Sequence, residues 1–253
     1  MPIRRSLAWL FLCLTVVSVV LSACDLLLET PTPDGGGGTG GTTEPGGLPD
    51  MPNKPEPQVG TFNGCPPEGD GGDPALNRLK NRVDEGNYVP VLFSAILALS
   101  WPKDVERRDR ANWSASDAAE IARYEGIPVA VEGYLYGGKE SGPESTNCHG
   151  SDNANVDWHV WFTETAGEDR TRSIVVEPTP RTRVNHQWSL KQIKQIADNQ
   201  LKVRISGWLF FDPEHPDQIG KTRGTIWEIH PVMQFEVEQN GRWVALDDWP
   251  GGN

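Results

Sequence analysis

The stretch Val129-Ala-Val-Glu-Gly-Tyr-Leu-Tyr136 decides the fold class, because apolar and polar side chains alternate along it. Alternation with a period of two is typical of a β-strand that has one buried face. Val129, Val131 and Leu135 are predicted to share that face, and Gly133 marks a place where the strand can bend sharply. Similar patterns predict further strands at 156–163, 173–177, 201–211 and 225–229.

A helix is predicted between the third and fourth of these strands. Ser189 and Gln192 have the spacing of a capping box, and apolar residues follow at helical intervals. Pro231 is expected to interrupt the last strand or to confine it to an edge, and the strand then resumes through Met233. Asn240-Gly241 predicts a hairpin turn that returns the chain as an added strand at 243–246.

Three strands, a helix and two more strands form the element order of an OB-fold barrel. The sequence therefore predicts a mainly β, α+β fold: a five-stranded OB-like barrel at 128–253 with a C-terminal hairpin. Residues 64–127 are expected to form a helical, irregular N-terminal layer packed with the barrel as one globular unit. In that layer Asp73-Pro74 predicts one helix start, and Asp117 with Glu120 predicts another that ends near Gly126.

The N-terminus resembles a bacterial lipoprotein signal peptide. Arg4 and Arg5 precede an apolar run at 7–20, which is shorter than the roughly 20 residues that span a bilayer. Ser22-Ala23 supplies the small residues before the expected cleavage site, and Cys24 follows it. The resemblance implies that residues 1–23 are removed and that Cys24 carries palmitate-type lipid chains. The membrane is then a partner through Cys24, and the domain faces the periplasm or the exterior.

Residues 24–63 are predicted to be a disordered tether, because they are rich in Gly, Pro and Thr and offer little apolar surface. Removing residues 1–23 leaves 21 basic and 35 acidic side chains, a formal charge of −14. That balance disfavours nucleic acid as a partner, since electrostatic binding to it needs a basic surface. In an oxidising compartment the two remaining cysteines, Cys65 and Cys148, are expected to form a disulfide.

Several segments of the domain resemble an uncharacterised family of exported bacterial proteins. The likeness spans most of residues 65–237, and it implies one recurring structural unit but no activity. It rests on 76–82 (LNRLKNR), 144–148 (ESTNC), 157–159 (DWH), 175–181 (VVEPTPR), 203–212 (VRISGWLFFD) with His215, and 227–232 (WEIHPV).

A candidate ligand face follows from the predicted fold, because OB-folds bind ligands on the outer face of strands two and three and at two flanking loops. Strand alternation turns Asp157, His159 and Trp161 outward. The third strand and the loops contribute the remaining candidates: Glu177, Arg181, Asp212, His215 and Arg223.

Two groups of residues each allow a functional and a purely structural interpretation. Asp157 and His159 point the same way and, with His215 or Glu177, could bind zinc or another divalent metal, or they could simply hydrogen-bond to a nearby loop or to arginines. Glu228 and His230 are expected to face outward together and could exchange protons or form a fixed polar pair, with Arg204 and Arg223 as counter-charges.

The sequence thus favours a membrane-anchored, extracytoplasmic module that binds a ligand or partner. The alternatives are a metal-dependent hydrolase of a phosphodiester or other ester, and a protein that binds single-stranded nucleic acid. It contains no Gly-rich phosphate loop, no Gly-x-Ser-x-Gly and no Cys-x-x-Cys to identify a reaction.

Overall fold

The computed structural model describes residues 47–252, so the predicted signal peptide, Cys24 and the first part of the predicted tether lie outside the described residues. Short 3₁₀ turns separate the helices and strands. In chain order these are α1 (Pro74–Lys80), β1 (Val89–Pro90), α2 (Phe93–Leu97), α3 (Ala115–Ala122), β2 (Pro128–Glu140), β3 (Trp158–Thr163), β4 (Ile174–Val176), α4 (Pro180–Arg183), α5 (Leu190–Asp198), β5 (Val203–Phe211), β6 (Trp227–Gln239) and β7 (Arg242–Ala245).

Five of the described strands close into a barrel in the order β2-β3-β4-β6-β5, and β5 pairs back onto β2. The β4–β6 pair is parallel and the other pairs of the barrel are antiparallel. Helix α5 connects β4 to β5. This arrangement confirms the predicted mainly β, OB-like fold. The two extra strands extend the sheet, β1 beside β2 and β7 beside β6.

Strand β2 closes the barrel because each of its halves pairs with a different neighbour. Pro128 to Gly133 pair with β5, and Tyr134 to Glu140 pair with β3. Gly133 lies where the partner changes. A Cβ atom there would lie 2.4 Å from the carbonyl oxygen of Thr163, so the close approach of the backbones requires glycine. The predicted inward faces are confirmed, since Val129, Val131, Val160 and Phe162 are all buried.

The prediction that Pro231 interrupts or confines the last barrel strand was wrong, because β6 runs unbroken from Trp227 to Gln239 between β4 and β5. Pro231, which follows a cis peptide bond, lies where the register with β5 shifts between the pairs Gly207–Val232 and Leu209–Ile229. At such an irregularity no ladder hydrogen bond is needed from its missing N–H.

Local capping signals explain where the helices and the hairpin begin. Ser189 Oγ accepts a hydrogen bond from the backbone N–H of Gln192, which confirms the predicted start of α5. The predicted start of α3 at Asp117 was wrong, because Ser114 caps this helix: its Oγ accepts from Asp117 N–H and donates to Asp117 Oδ2. Asn240 and Gly241 both have positive φ, as the predicted turn between β6 and β7 requires.

A disulfide between Cys65 and Cys148 joins the N-terminal layer to the loop that connects β2 and β3, as predicted. The layer and the barrel form one compact unit. Residues 47–63, which we call the N-terminal segment, were predicted to be disordered, but they pack on this unit. Leu48 and Met51 contact the core, and the carbonyl of Gly60 accepts a hydrogen bond from buried Arg181. Among residues 47–252, no helix combines the length and the apolar character needed to cross a membrane.

Candidate functional site

The OB-face cavity lies where OB-folds bind their ligands, beside β3, and has a volume of about 520 Å³. That volume falls in the range of small-molecule sites. Its wall combines side chains from the N-terminal layer, from β2 to β4 and from the loop between β5 and β6. The charged and aromatic residues that line it are Lys80, Lys139, Glu144, His159, Trp161, Arg170, Glu177, Asp212, His215, Arg223 and Glu228.

The structure brings most of the sequence-predicted candidates to this cavity. His159 and Trp161 point outward from β3 and are partly exposed, as the alternation predicted. The others come from neighbouring segments and are held against the same wall: Glu177, Asp212, His215, Arg223 and Glu228.

Two predicted ligand-face residues are buried elsewhere. Asp157 precedes β3, so the alternation of the strand does not set its direction, and its side chain is only 1% exposed. Its Oδ1 accepts a hydrogen bond from Asn147 Nδ2 at 3.1 Å. Arg181 lies in α4, which turns the chain away after β4, and it donates to Asn81 Oδ1 and to three backbone carbonyls of the N-terminal layer and segment. The prediction that these two side chains turn outward on the OB face was therefore wrong.

Arg223 forms ion pairs with two carboxylates in the wall. Its Nη1 lies 2.9 Å from Asp212 Oδ2 and 2.6 Å from Glu228 Oε1, and all three side chains are buried. His215 Nδ1 lies 2.7 Å from the same Asp212 oxygen. This hydrogen bond raises the pKa of His215 to about 9, which favours the imidazolium form at neutral pH. Burial outweighs the attraction of Arg223 at Glu228 and raises the pKa of that carboxyl.

Glu177 lies between two histidines at the inner end of the cavity. Its Oε1 is 3.1 Å from His159 Nδ1, and its Oε2 is 3.2 Å from His230 Nδ1. Burial alone would raise the pKa of Glu177, but the two imidazoles outweigh it and lower that pKa well below its usual range. His159 connects this buried carboxylate to the open part of the cavity, since its own side chain is partly exposed.

His230 and Asp157 are buried with incomplete hydrogen bonding. Neither ring nitrogen of His230 has a hydrogen bond of acceptable geometry within the described part of the chain, and the same holds for Asp157 Oδ2. His230 Nε2 and Asp157 Oδ2 are 3.9 Å apart, and His230 Nδ1 is 3.5 Å from Glu228 Oε2. Glu228 and His230 thus lie side by side in a place shut off from solvent, so the prediction that both face outward was wrong.

Protons help to balance the buried carboxylates. Burial, with the nearby negative charge of Glu144, raises the pKa of Asp157 to about 7. Burial would lower the pKa of His230, but its contacts with Glu177 and Glu228 prevail and raise it to about 10. The buried cluster behind Glu177 can therefore hold protons near neutral pH.

The sequence analysis did not select four charged residues that line the cavity, namely Lys80, Lys139, Glu144 and Arg170. Lys80, on α1, is buried and lies 2.9 Å from Glu144 Oε2 across 64 positions of sequence. Both residues lie in segments on which the family resemblance rests, 76–82 and 144–148, so those motifs were a signal that could have selected them. Lys139 extends β2 beyond its predicted end, and Arg170 lies in a turn between β3 and β4, where no local pattern selects it.

Trp161 forms an aromatic surface at the rim of the cavity. Its ring makes edge contacts with Tyr136 and His159. The guanidinium of Arg170 lies 5.0 Å from the indole centroid, and the ammonium of Lys139 lies 6.0 Å from it, both within the range of cation–π attraction. The rim therefore combines a planar apolar group with two cations that lie over its ring.

A larger cavity of about 870 Å³ lies along β1 and the start of α2. Its lining includes Tyr88, Leu92, Arg204 and Glu236, and Arg204 and Glu236 neutralise each other at 2.6 Å. None of the histidines or buried carboxylates described above reaches it. The concentration of ionisable groups makes the OB-face cavity the better candidate site.

Comparison with known proteins identifies no relative: no family model, no curated protein and no solved structure matches the chain. The resemblance to an exported bacterial family, drawn from motifs in the sequence, stays a prediction.

Proposed function

We propose that the protein is a membrane-anchored binding module that holds a small anionic ligand with a planar ring in the OB-face cavity. The observation that supports this proposal is the distribution of paired and unpaired charge. Each carboxylate that lines the cavity contacts a cation or an imidazole: Glu144, Glu177, Asp212 and Glu228. Lys139 and Arg170, in contrast, have no ion-pair partner in residues 47–252.

The accessible charge of the cavity is therefore positive although the chain as a whole is acidic. Arg170 can donate parallel hydrogen bonds to a phosphate or carboxylate, and Lys139 adds a second charge beside it. Trp161 supplies a flat surface on which a ring can stack. A ligand that has both an anionic group and a ring would use all three side chains at once.

Phenyl phosphate is a suitable probe because it combines these two groups. We expect the full chain, purified in detergent, to bind it with one-to-one stoichiometry in calorimetry and to change its tryptophan fluorescence. Inorganic phosphate, which has only the anionic group, and phenol, which has only the ring, should each bind more weakly. Replacing Arg170 with methionine should weaken phenyl phosphate binding by about 10-fold or more, as loss of a charged hydrogen bond predicts.

Arg172→Met is the matched control, because Arg172 lies in the same turn but is exposed, pairs with Glu168 and does not line the cavity. Its affinity should equal that of the unmodified protein. Equal losses in the two variants would contradict the proposal, as would the absence of binding at millimolar probe. Tight, salt-sensitive binding of oligo-dT in place of phenyl phosphate would favour the nucleic-acid alternative instead.

The location is part of the same proposal: Cys24 carries the lipid, and the domain lies outside the cytoplasm. Two observations support it, namely the signal-like sequence that ends at Cys24 and the disulfide between Cys65 and Cys148, which suits an oxidising compartment. Mass spectrometry of the mature N-terminal peptide should find a doubly or triply acylated Cys24. An unmodified peptide that begins at Met1, recovered from the cytosol, would refute this location.

A further inference from the structure

We infer that Asp157, Glu177 and His230 form a binding site for a divalent transition-metal ion in a buried cluster beside the OB-face cavity, whose wall only Glu177 reaches. One ligand atom from each residue lies within 4.8 Å of the other two, and all three side chains are buried. They come from three neighbouring strands: Asp157 precedes β3, Glu177 follows β4 and His230 lies in β6. The barrel itself therefore fixes their spacing.

The unsatisfied atoms of this set are the first argument for an ion. Asp157 Oδ2 and both ring nitrogens of His230 have no hydrogen bond within residues 47–252, although buried polar atoms in folded proteins are nearly always paired. An ion bound at about 2.0–2.1 Å to oxygen and nitrogen separates neighbouring ligands by roughly 3.3 Å. The 3.9 Å between Asp157 Oδ2 and His230 Nε2 needs only a small inward movement to reach that separation.

The outer contacts of the three residues are the second argument. Asn147 donates to Asp157 Oδ1 and so leaves Oδ2 free, while His159 lies against Glu177 Oε1 and leaves Oε2. An ion on His230 Nε2 would leave Nδ1–H facing two carboxylates, with Glu177 Oε2 at 3.2 Å and Glu228 Oε2 at 3.5 Å. Metal-binding histidines commonly donate their second N–H to a carboxylate, which orients the ring.

The charge in direct contact is the third argument. Neither Asp157 nor Glu177 forms an ion pair with a lysine or arginine of residues 47–252, since their charged contacts are His159 and His230. The permanent cations around them act at longer range: Lys80, Arg181, Arg183 and Arg223. A divalent ion would place positive charge directly against two carboxylates, and one imidazole with two carboxylates suits borderline ions such as Zn²⁺.

The test uses Zn²⁺ alone and the full chain, purified in detergent without a histidine tag and stripped with a chelator. We expect calorimetry and elemental analysis to find one equivalent of bound Zn²⁺. Asp157→Asn and His230→Gln should each weaken that binding by about 100-fold, since each removes a direct ligand and loss of an outer contact alone costs up to about that much. His215→Gln should bind normally, because His215 lines the same cavity and contacts a buried carboxylate but lies outside the set.

Less than stoichiometric Zn²⁺ on the unmodified protein would overturn the inference. Unchanged binding by the folded Asp157→Asn variant would overturn it as well. Asparagine has nearly the shape of aspartate, so this variant decides the outcome if His230→Gln does not fold. Co²⁺ provides a second readout, because its visible absorption should show a nitrogen- and oxygen-bound ion that Asp157→Asn abolishes.

Discussion

Replacing Arg223 with methionine should lower the free energy of unfolding by about 3–5 kcal/mol, the usual cost of removing one partner from a buried ion pair. Arg223 lies within 2.9 Å of both Asp212 and Glu228, and each of the three side chains is at most 4% exposed. His215 would still contact Asp212, so the loss of stability comes mainly from Glu228, which would stay buried and charged without its ion pair to an arginine.

Urea unfolding, followed by the fluorescence of the tryptophans, measures this loss. Arg204→Met is the matched control, because Arg204 also forms a two-contact pair with a glutamate, but at a partly exposed place, with side-chain exposures of 32% and 20%. That variant should lose less than about 1 kcal/mol. If Arg223→Met loses no more than Arg204→Met, the described burial of charge is incorrect.

A second substitution isolates the cause. Adding Glu228→Gln to Arg223→Met should recover part of the stability, because a neutral amide is easier to bury than an unpaired carboxylate.

The loss in Arg223→Met should also depend on pH. Without the cation, burial raises the pKa of Glu228 further, so the loss is full above that pKa and shrinks as the pH falls through it. A loss that stays constant with pH would refute the electrostatic explanation.

Three further outcomes follow from the same structure. Serine at both Cys65 and Cys148 should cost about 4–5 kcal/mol in urea unfolding, because the bridge closes a loop of 83 residues. His215→Gln should lower the free energy of unfolding by about 1 kcal/mol below about pH 6.5, a modest loss because solvent screens this half-exposed pair. The loss should vanish as the pH rises through the folded pKa of His215, about 9. Urea unfolding at both ends of that pH interval checks the sign. Arg181→Leu should speed proteolysis within the N-terminal segment, because the Gly60 carbonyl loses its buried donor, and unchanged cleavage would argue against that contact.

The order of the barrel elements was predictable because each depends on a local signal. Alternation identified β2 and β3, the capping box at Ser189 identified α5, and Asn240-Gly241 identified the hairpin. The course of β6 through Pro231 was not predictable in the same way. It depends on where β5 shifts register beside it, which is a property of the paired strand.

The candidate site was predictable in its location but not in its inner contacts. His159 and Trp161 followed from alternation within a strand. Asp157 did not, because it lies one residue before the strand begins, where the amide of Asn147 in the preceding loop determines its direction. Lys80 and Glu144 meet across 64 positions, and nothing in either local sequence indicates the other.

A crystal structure of the protein grown with phenyl phosphate would test the proposed binding site most directly. The proposal predicts the phosphate group beside Arg170 and Lys139 and the ring against Trp161, within the OB-face cavity. A ligand bound in the cavity along β1, with the OB face left empty, would contradict it.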